Sequence, residues 1–270
     1  MIKIIVVIIA IALALILLAM RGRRKHPKLA QLCKWYYAHR GCHGNGVPEN
    51  SMQAFRIAKE SGYGIELDVH LLADGALAVM HDSSLQRTAG CDVCIENLTT
   101  EQLSQYRLEG TQEKIPLLSQ VLELFNGAAP LLIELKSDLN NYAELCEQAC
   151  RLLEDYKGLY CMESFDPRCI IWLKKNRPDI VRGQLAENYF KTEGIKVPFI
   201  LKLILANHLM NFISLPDFNA YRYSDRKRFV NWICRRIWGL ASFAWTVSSE
   251  SEFGTALDEN WTPIFEGFKP

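Results

Sequence analysis

The sequence predicts an α/β fold, a parallel (β/α)8 barrel with a small insertion, preceded by an N-terminal transmembrane helix. Three observations predict it. Short apolar runs alternate with amphipathic stretches through most of the 270 residues, and their number suits eight strand–helix units. No glycine-rich dinucleotide or phosphate loop favours a doubly wound sheet instead, since Gly41-x-x-Gly44-x-Gly46 has the wrong spacing and runs on into Pro48. An unbroken apolar segment stands at the N-terminus.

That segment, Ile2–Met20, is apolar except for Lys3 and is long enough to cross a bilayer core as a helix. It divides the chain into an anchor (1–21), a basic juxtamembrane linker (22–34) and a barrel (35–270). A cleaved signal peptide is the alternative, but no convincing small-x-small cleavage site precedes Arg21, the alanine triplets lying inside the apolar run. Arg21, Arg23, Arg24 and Lys25 outnumber Lys3 and the amino terminus, so the positive-inside rule places the barrel on the cytoplasmic side of the cell membrane. Nine cysteines, an odd number, agree with a reducing compartment; Cys91-x-x-Cys94 has no second pair to complete a zinc site. Residues 1–40 hold eight cations and no acid, which leaves 23 basic against 30 acidic residues in 41–270. A net-acidic body excludes general nucleic-acid binding. Apart from the anchor, the composition excludes a polytopic membrane protein, a disordered chain and a collagen-like repeat.

In chain order, the expected strands are Trp35–Ala38, Gly64–Val69, Ala76–Met80, Leu131–Leu135, Leu159–Met162, Ile180–Leu185, Phe212–Leu215 and Ser242–Val247. The expected helices are Ser51–Ser61, Leu117–Phe125, Tyr142–Tyr156, Asp166–Asn176, Ser224–Trp238 and Ser249–Asp258. Asn50-Ser51, Asp166-Pro167 and Ser224-Asp225 read as helix starts, through capping side chains or a first-turn proline. Two stretches break the rhythm. Residues 83–114 are polar and weakly periodic, as expected of an insertion. Residues 195–215 are strongly apolar but interrupted by Lys202, Asn207, His208 and Asn211. They are expected to form a helix covering the barrel or lying in a membrane interface, a lid with Leu201, Leu205, Leu209, Phe212 and Ile213 on one face.

Ionisable residues sit within these apolar runs or at their C-terminal ends, which form the mouth of a barrel. Strand alternation puts Glu66, Asp68 and His70 on one face, opposite Ile65, Leu67 and Val69. Two carboxylates on one buried face repel unless a cation lies between them. Glu66, Asp68 and Glu134 therefore suit one hard divalent cation, Mg2+ or Ca2+. His39 and His81 can exchange protons near neutral pH, and Arg40 and Lys136 supply positive charge for an anion. Together these groups describe hydrolysis of a phosphate ester.

The chain resembles the glycerophosphodiester phosphodiesterase family. The resemblance is carried by His39-Arg40-Gly41, Pro48-Glu49-Asn50-Ser51, Glu66-x-Asp68-x-His70, Asp74-Gly75, His81-Asp82-x-x-Leu85-x-Arg87-Thr88 and Ile133-Glu134-Leu135-Lys136, all in the family's order, with Phe165 and Trp245-Thr246-Val247 at later strand ends. It covers residues 35–270. It implies a TIM barrel and a metal-dependent hydrolase that cleaves glycerophosphodiesters to glycerol 3-phosphate and an alcohol. It further implies that Glu66, Asp68 and Glu134 ligate the metal and that His39 and His81 are the acid–base pair. Arg40 and Lys136 are implied near the phosphate, with Glu49, Asn50 and Trp245 contacting substrate or supporting the site. His70 is expected to make a structural hydrogen bond. The chain departs from the pattern in the spacer Cys42–Val47, where His43 is expected to be solvated. It departs again at its end, where Phe265-Glu266-Gly267-Phe268-Lys269-Pro270 replaces a Thr-Asp-x-Pro pattern. Two further functions remain open: a lysophospholipase D acting on membrane lysolipids, and an inactive barrel that only binds lipid headgroups.

Overall fold

The structure, a computed structural model, describes residues 1–23, 26–192 and 197–270; Arg24 and Lys25 of the expected basic flank, and Ile195 and Lys196 of the apolar stretch, lie outside the described residues. The nine strands are β1 (Tyr37–His39), β2 (Gly64–Leu71), β3 (Leu77–Val79), β4 (Leu131–Leu135), β5 (Tyr160–Ser164), β6 (Arg182–Ala186), β7 (Phe218–Arg222), β8 (Ala241–Val247) and β9 (Thr262–Phe265). All but β3 are parallel, and β1 pairs with both β2 and β9, so eight strands close into a TIM barrel. The expected fold is the observed one.

Three strand assignments differ from expectation. Ala76–Met80 was expected in the ring, but β3 lies outside it, antiparallel to β2. The connection is a tight turn at Gly75 (φ +83°), and a parallel partner would need a long crossover. Phe212–Leu215 is part of a short helix, Asn211–Ser214, with Asn211 and Ser214 buried and Phe212 and Ile213 exposed; β7 begins only after Pro216. The closing strand β9 is not among the expected strands, and it carries Pro263, a residue disfavoured inside regular sheets. Pairing of β8 with β9 shifts register between Ala244 and Val247, and the proline sits at that irregularity. The expected helix Ser224–Trp238 is also broken, into turns at Tyr223–Asp225, Phe229–Trp232 and Ile233–Ile237.

The expected caps at Ser51 and Asp166 form, accepting from Ala54 N and Arg168 N. Outward-facing Ile65, Leu67, Val69 and Ile133 are fully buried under the helices, each contributing about 1.5–3 kcal/mol by leaving water. The barrel interior is layered. Its lower layer is apolar, with Tyr37, Leu132, Cys161, Phe218 and Phe243, and Leu32 packs in the same cluster. The Phe218 ring lies against Gly183, where a Cβ would stand 2.2 Å from it, so only glycine fits there. The upper layer is polar. Residues 83–114 pack with β3 through Leu85, Ile95, Leu103 and Leu108, a small cluster of their own.

Helix Ile2–Ala19 is long and apolar enough to cross a membrane and is unburied until its end. There Met20 packs on Val230, Ile233 and Cys234, and the following Arg23 makes two 2.6 Å bonds to Asp217. The residues after this helix are thus fastened to the barrel.

His208 lies in the outer layer, with its ring 5.3 Å from that of Tyr221. Burial pushes it down to about 3 from an unfolded value near 6.5. The folded state therefore refuses a proton that the unfolded state accepts, and stability falls as pH drops from 6.5 towards 3, by about 1.4 kcal/mol per pH unit. Asparagine also tolerates the left-handed backbone at this position (φ +53°). His208→Asn flattens that acid limb in urea unfolding; an unchanged slope refutes the assignment.

Candidate active site

Inward residues of neighbouring strands come into register at the upper layer. Asp68 pairs with Glu134 across β2 and β4, and Glu134 with Glu163 across β4 and β5. Ligand oxygens from Glu66, Asp68 and Glu134 lie within 4.8 Å of one another, all buried. Such crowding needs cations. Lys136 Nζ lies 2.9 Å from Asp68 Oδ1 and 2.7 Å from Glu134 Oε1, and Arg40 Nε is 3.6 Å from Asp68 Oδ2. Asn50 Nδ2 donates to Asp68 Oδ2 at 2.8 Å, and the Arg40 backbone N–H donates to Glu66 Oε2 at 3.1 Å. Arg40 itself stands at φ +55°, and the Asn50 N–H donates to its carbonyl.

The electrostatics follow the contacts. Burial opposes ionisation of Asp68, but Lys136, His81 and Arg40 overcome it and hold the carboxyl far below its usual range. Glu66 is pushed well above its usual range by burial, with Asp68 and Glu134 adding repulsion. Burial likewise lifts Glu134 to about 7, against the pull of Lys136. One ammonium and one guanidinium therefore do not neutralise the cluster. A donor set of hard oxygens with charge to spare fits a divalent cation, so Glu66, Asp68 and Glu134 suit the expected site.

Each histidine is held at Nδ1 by a carboxylate. His39 Nδ1 is 2.5 Å from Glu266 Oε2, and His81 Nδ1 is 2.5 Å from Asp82 Oδ1. Fixing Nδ1 leaves Nε2 for proton transfer; that of His39 lies 3.9 Å from Glu66 Oε2. Burial lowers both imidazoles from their ordinary value, against the pull of the carboxylates. Arg40 NH1 bonds Glu49 Oε1 at 3.0 Å, and Arg87 clamps Glu49 through both oxygens while also reaching Asp82. Glu49 thus supports the cations and His81. His39, Arg40, Glu66, His81, Glu134 and Trp245 line a cavity of about 40 Å³, which adjoins a cleft of about 400 Å³ bordered by Lys136, Asp138 and Asp166. The Trp245 indole meets the Phe165 ring edge-on at 5.5 Å.

All ten site residues expected from the sequence are gathered at this mouth. Two were missed. Glu163 is buried beside Glu134, with Oε2 unpaired, on a strand expected to end at Met162. Glu266 follows the unexpected β9; an acid directly after an apolar run was the available signal. His70 makes the expected structural bonds, to Glu96 and to the His81 carbonyl. His43 is not solvated as expected: its side chain is 18% exposed and its Nε2 lies 3.8 Å from Glu266.

The glycerophosphoryl diester phosphodiesterase family model matches residues 39–265. A glycerophosphodiester phosphodiesterase from Bacillus altitudinis is 39% identical over 130 residues, covering 45% of this chain and 53% of that protein. Lysophospholipase D GDPD1 from Rattus norvegicus is 33% identical over 143 residues, covering 48% of this chain and 44% of its own. The chain spans about half the length of these relatives. The fold is similar to that of an Oleispira antarctica phosphodiesterase solved with the product sn-glycerol-3-phosphate, with TM-score 0.70, 24% identity, and coverage of 86% of this chain and 92% of that one.

Proposed function

The chain belongs to the glycerophosphoryl diester phosphodiesterase family, and from that membership we propose that it hydrolyses glycerophosphodiesters to glycerol 3-phosphate and an alcohol. One observation carries the proposal: a buried three-carboxylate cluster stands between two histidines, each oriented by its own carboxylate. Glu66, Asp68 and Glu134 hold one divalent cation, Mg2+ or Ca2+, which supplies positive charge to the phosphate oxygens. Arg40 and Lys136 add fixed charge at the same place. One histidine takes a proton at Nε2 from the attacking oxygen, that of water in a direct hydrolysis or of the substrate's own hydroxyl in a first step whose cyclic phosphate is then opened by water. The other gives a proton to the departing oxygen. Asp82 and Glu266 keep the two rings in orientation through this exchange, and Glu49, Asn50 and Trp245 position or border the substrate.

The purified chain with Mg2+ or Ca2+ is expected to release glycerol 3-phosphate from glycerophosphocholine, and to stop when the ion is chelated. Binding without turnover would make it a headgroup-binding barrel instead. The lysophospholipase D relatives and the apolar N-terminal helix favour lysolipids as a second substrate class. We place the barrel at the cytoplasmic face of a membrane, on the charge bias around Ile2–Met20. An impermeant thiol reagent applied to intact cells should then leave Cys33, Cys42, Cys91 and Cys94 unlabelled, although all four are partly exposed and free. Labelling from outside overturns this topology.

A further inference from the structure

We infer that the outer wall formed by helix Phe199–Ala206, helix Asn211–Ser214 and the turns Phe229–Ile237 rests on an anionic lipid surface, beside the point where the N-terminal helix leaves the bilayer. The inference rests on Ile2–Ala19 crossing that bilayer. Apart from this helix, most exposed large apolar side chains among the described residues lie between Phe190 and Ile237. Phe229 is 71% exposed, Phe199 68%, Ile200 64%, Phe212 52% and Trp232 51%, on a wall that buries Ala206, Asn211, Ser214, Val230 and Ile233. The expected single lid face does not form. The chain turns between the two helices, Leu209 faces Met20 and Leu17, and the segment is barrel wall rather than lid.

Charge and continuity identify the occupant. Residues 197–216 and 226–249 contain six cations and no Asp or Glu, within a body that is otherwise net acidic. The side chains of Lys202, Lys227 and Arg236 have no ion-pair or hydrogen-bond partner among the described residues, whereas that of Arg226 pairs with Glu259 and that of Arg228 with Asn207. Aromatic and aliphatic side chains interleaved with unpaired cations suit the boundary between headgroups and acyl chains. A second copy of the chain fits poorly, since self-pairing would bring cation to cation. The anchor itself ends on this wall. Asn211 Nδ2 donates to Met20 O at 3.4 Å, Trp238 Nε1 donates to Leu17 O at 2.8 Å, and the Arg228 side chain joins the two parts of the wall through Asn207 at 3.1 Å.

The test uses the full chain reconstituted into phosphatidylcholine vesicles, with or without phosphatidylserine, and with plain or brominated acyl chains. Comparison with Trp232→Phe isolates the emission of Trp232. That emission is expected to be quenched by brominated lipid when phosphatidylserine is present. Lys227→Glu with Arg236→Glu should shift the seated population by about fivefold for each cation removed. Thermal unfolding confirms that these exposed substitutions leave the fold intact. If the N-terminal helix resists carbonate extraction yet Trp232 is not quenched, the surface is overturned while the anchor stands. Equal quenching with and without phosphatidylserine, or shielding of Trp232 in a cross-linked dimer, also overturns it. Extraction of the chain by carbonate would instead remove the anchor on which the inference rests.

Discussion

His39→Ala and His81→Ala are each expected to lower glycerophosphodiester turnover by about 10²–10⁴, the usual worth of a positioned acid or base. Both rings sit at the mouth, and neither substitution removes a group on which the core depends: His39 is bonded to the strand-end Glu266 and His81 to its neighbour Asp82. Unfolding temperature should therefore barely move while turnover collapses. The double variant should lose little more than the worse single one, because the two rings serve one proton exchange. Glu266→Gln and Asp82→Asn keep the shape but weaken the orientation of each ring, so they should retain more activity than the alanine variants. Wild-type turnover in either histidine variant would make that residue structural only.

The second large effect concerns the carboxylates. Glu66→Gln, Asp68→Asn and Glu134→Gln should each remove at least about 10² of metal-dependent turnover, the scale of one lost charge-stabilising group. Metal binding can be read apart from catalysis, because an ion that binds only the folded chain raises its unfolding temperature. That rise should vanish in all three variants. Without metal the three should differ from one another. Glu66 is already forced towards its neutral form by burial and by its neighbours, so Glu66→Gln should leave the metal-free protein as stable as before or more so. Asp68 is the ionised partner of Lys136 and Arg40, so Asp68→Asn leaves Lys136 only Glu134, whose ionisation burial opposes, and should destabilise the metal-free protein. Normal metal affinity in all three variants would sink the assignment.

Residues that alternate cleanly made most of this site legible in the sequence. Glu66 and Asp68 interrupt a strand whose other face is entirely aliphatic, and Glu134 does the same two strands further on. No soluble core tolerates that pattern without a compensating charge, so the chemistry could be read before the fold. Legibility failed where local signals conflict with tertiary context. The last strand, and with it Glu266, was overlooked: it is only four residues long and contains Pro263, which has no N–H for a regular ladder and sits here at a shifted register. Phe212 and Ile213 looked like a strand because apolar pairs are equally at home on the outer face of a wall helix. The eight-strand count was right although two of the counted segments lie outside the ring, one as β3 and one as a helix, while β7 and the closing β9 were overlooked. Periodicity identifies elements one at a time, whereas closure depends on which ends meet.

Closure has a kinetic consequence. His39 lies at the end of the first barrel strand and Glu266 just beyond the last, 227 positions apart, yet they share a short hydrogen bond. One proton-transfer group is thus oriented by the contact that seals the ring. Chain-end contacts of this separation form late, since loop entropy is lost before they repay it. During refolding, helical content should recover first and catalysis only afterwards. On the proposed function, the chain is thereby inert towards its diester substrate until its cylinder is complete.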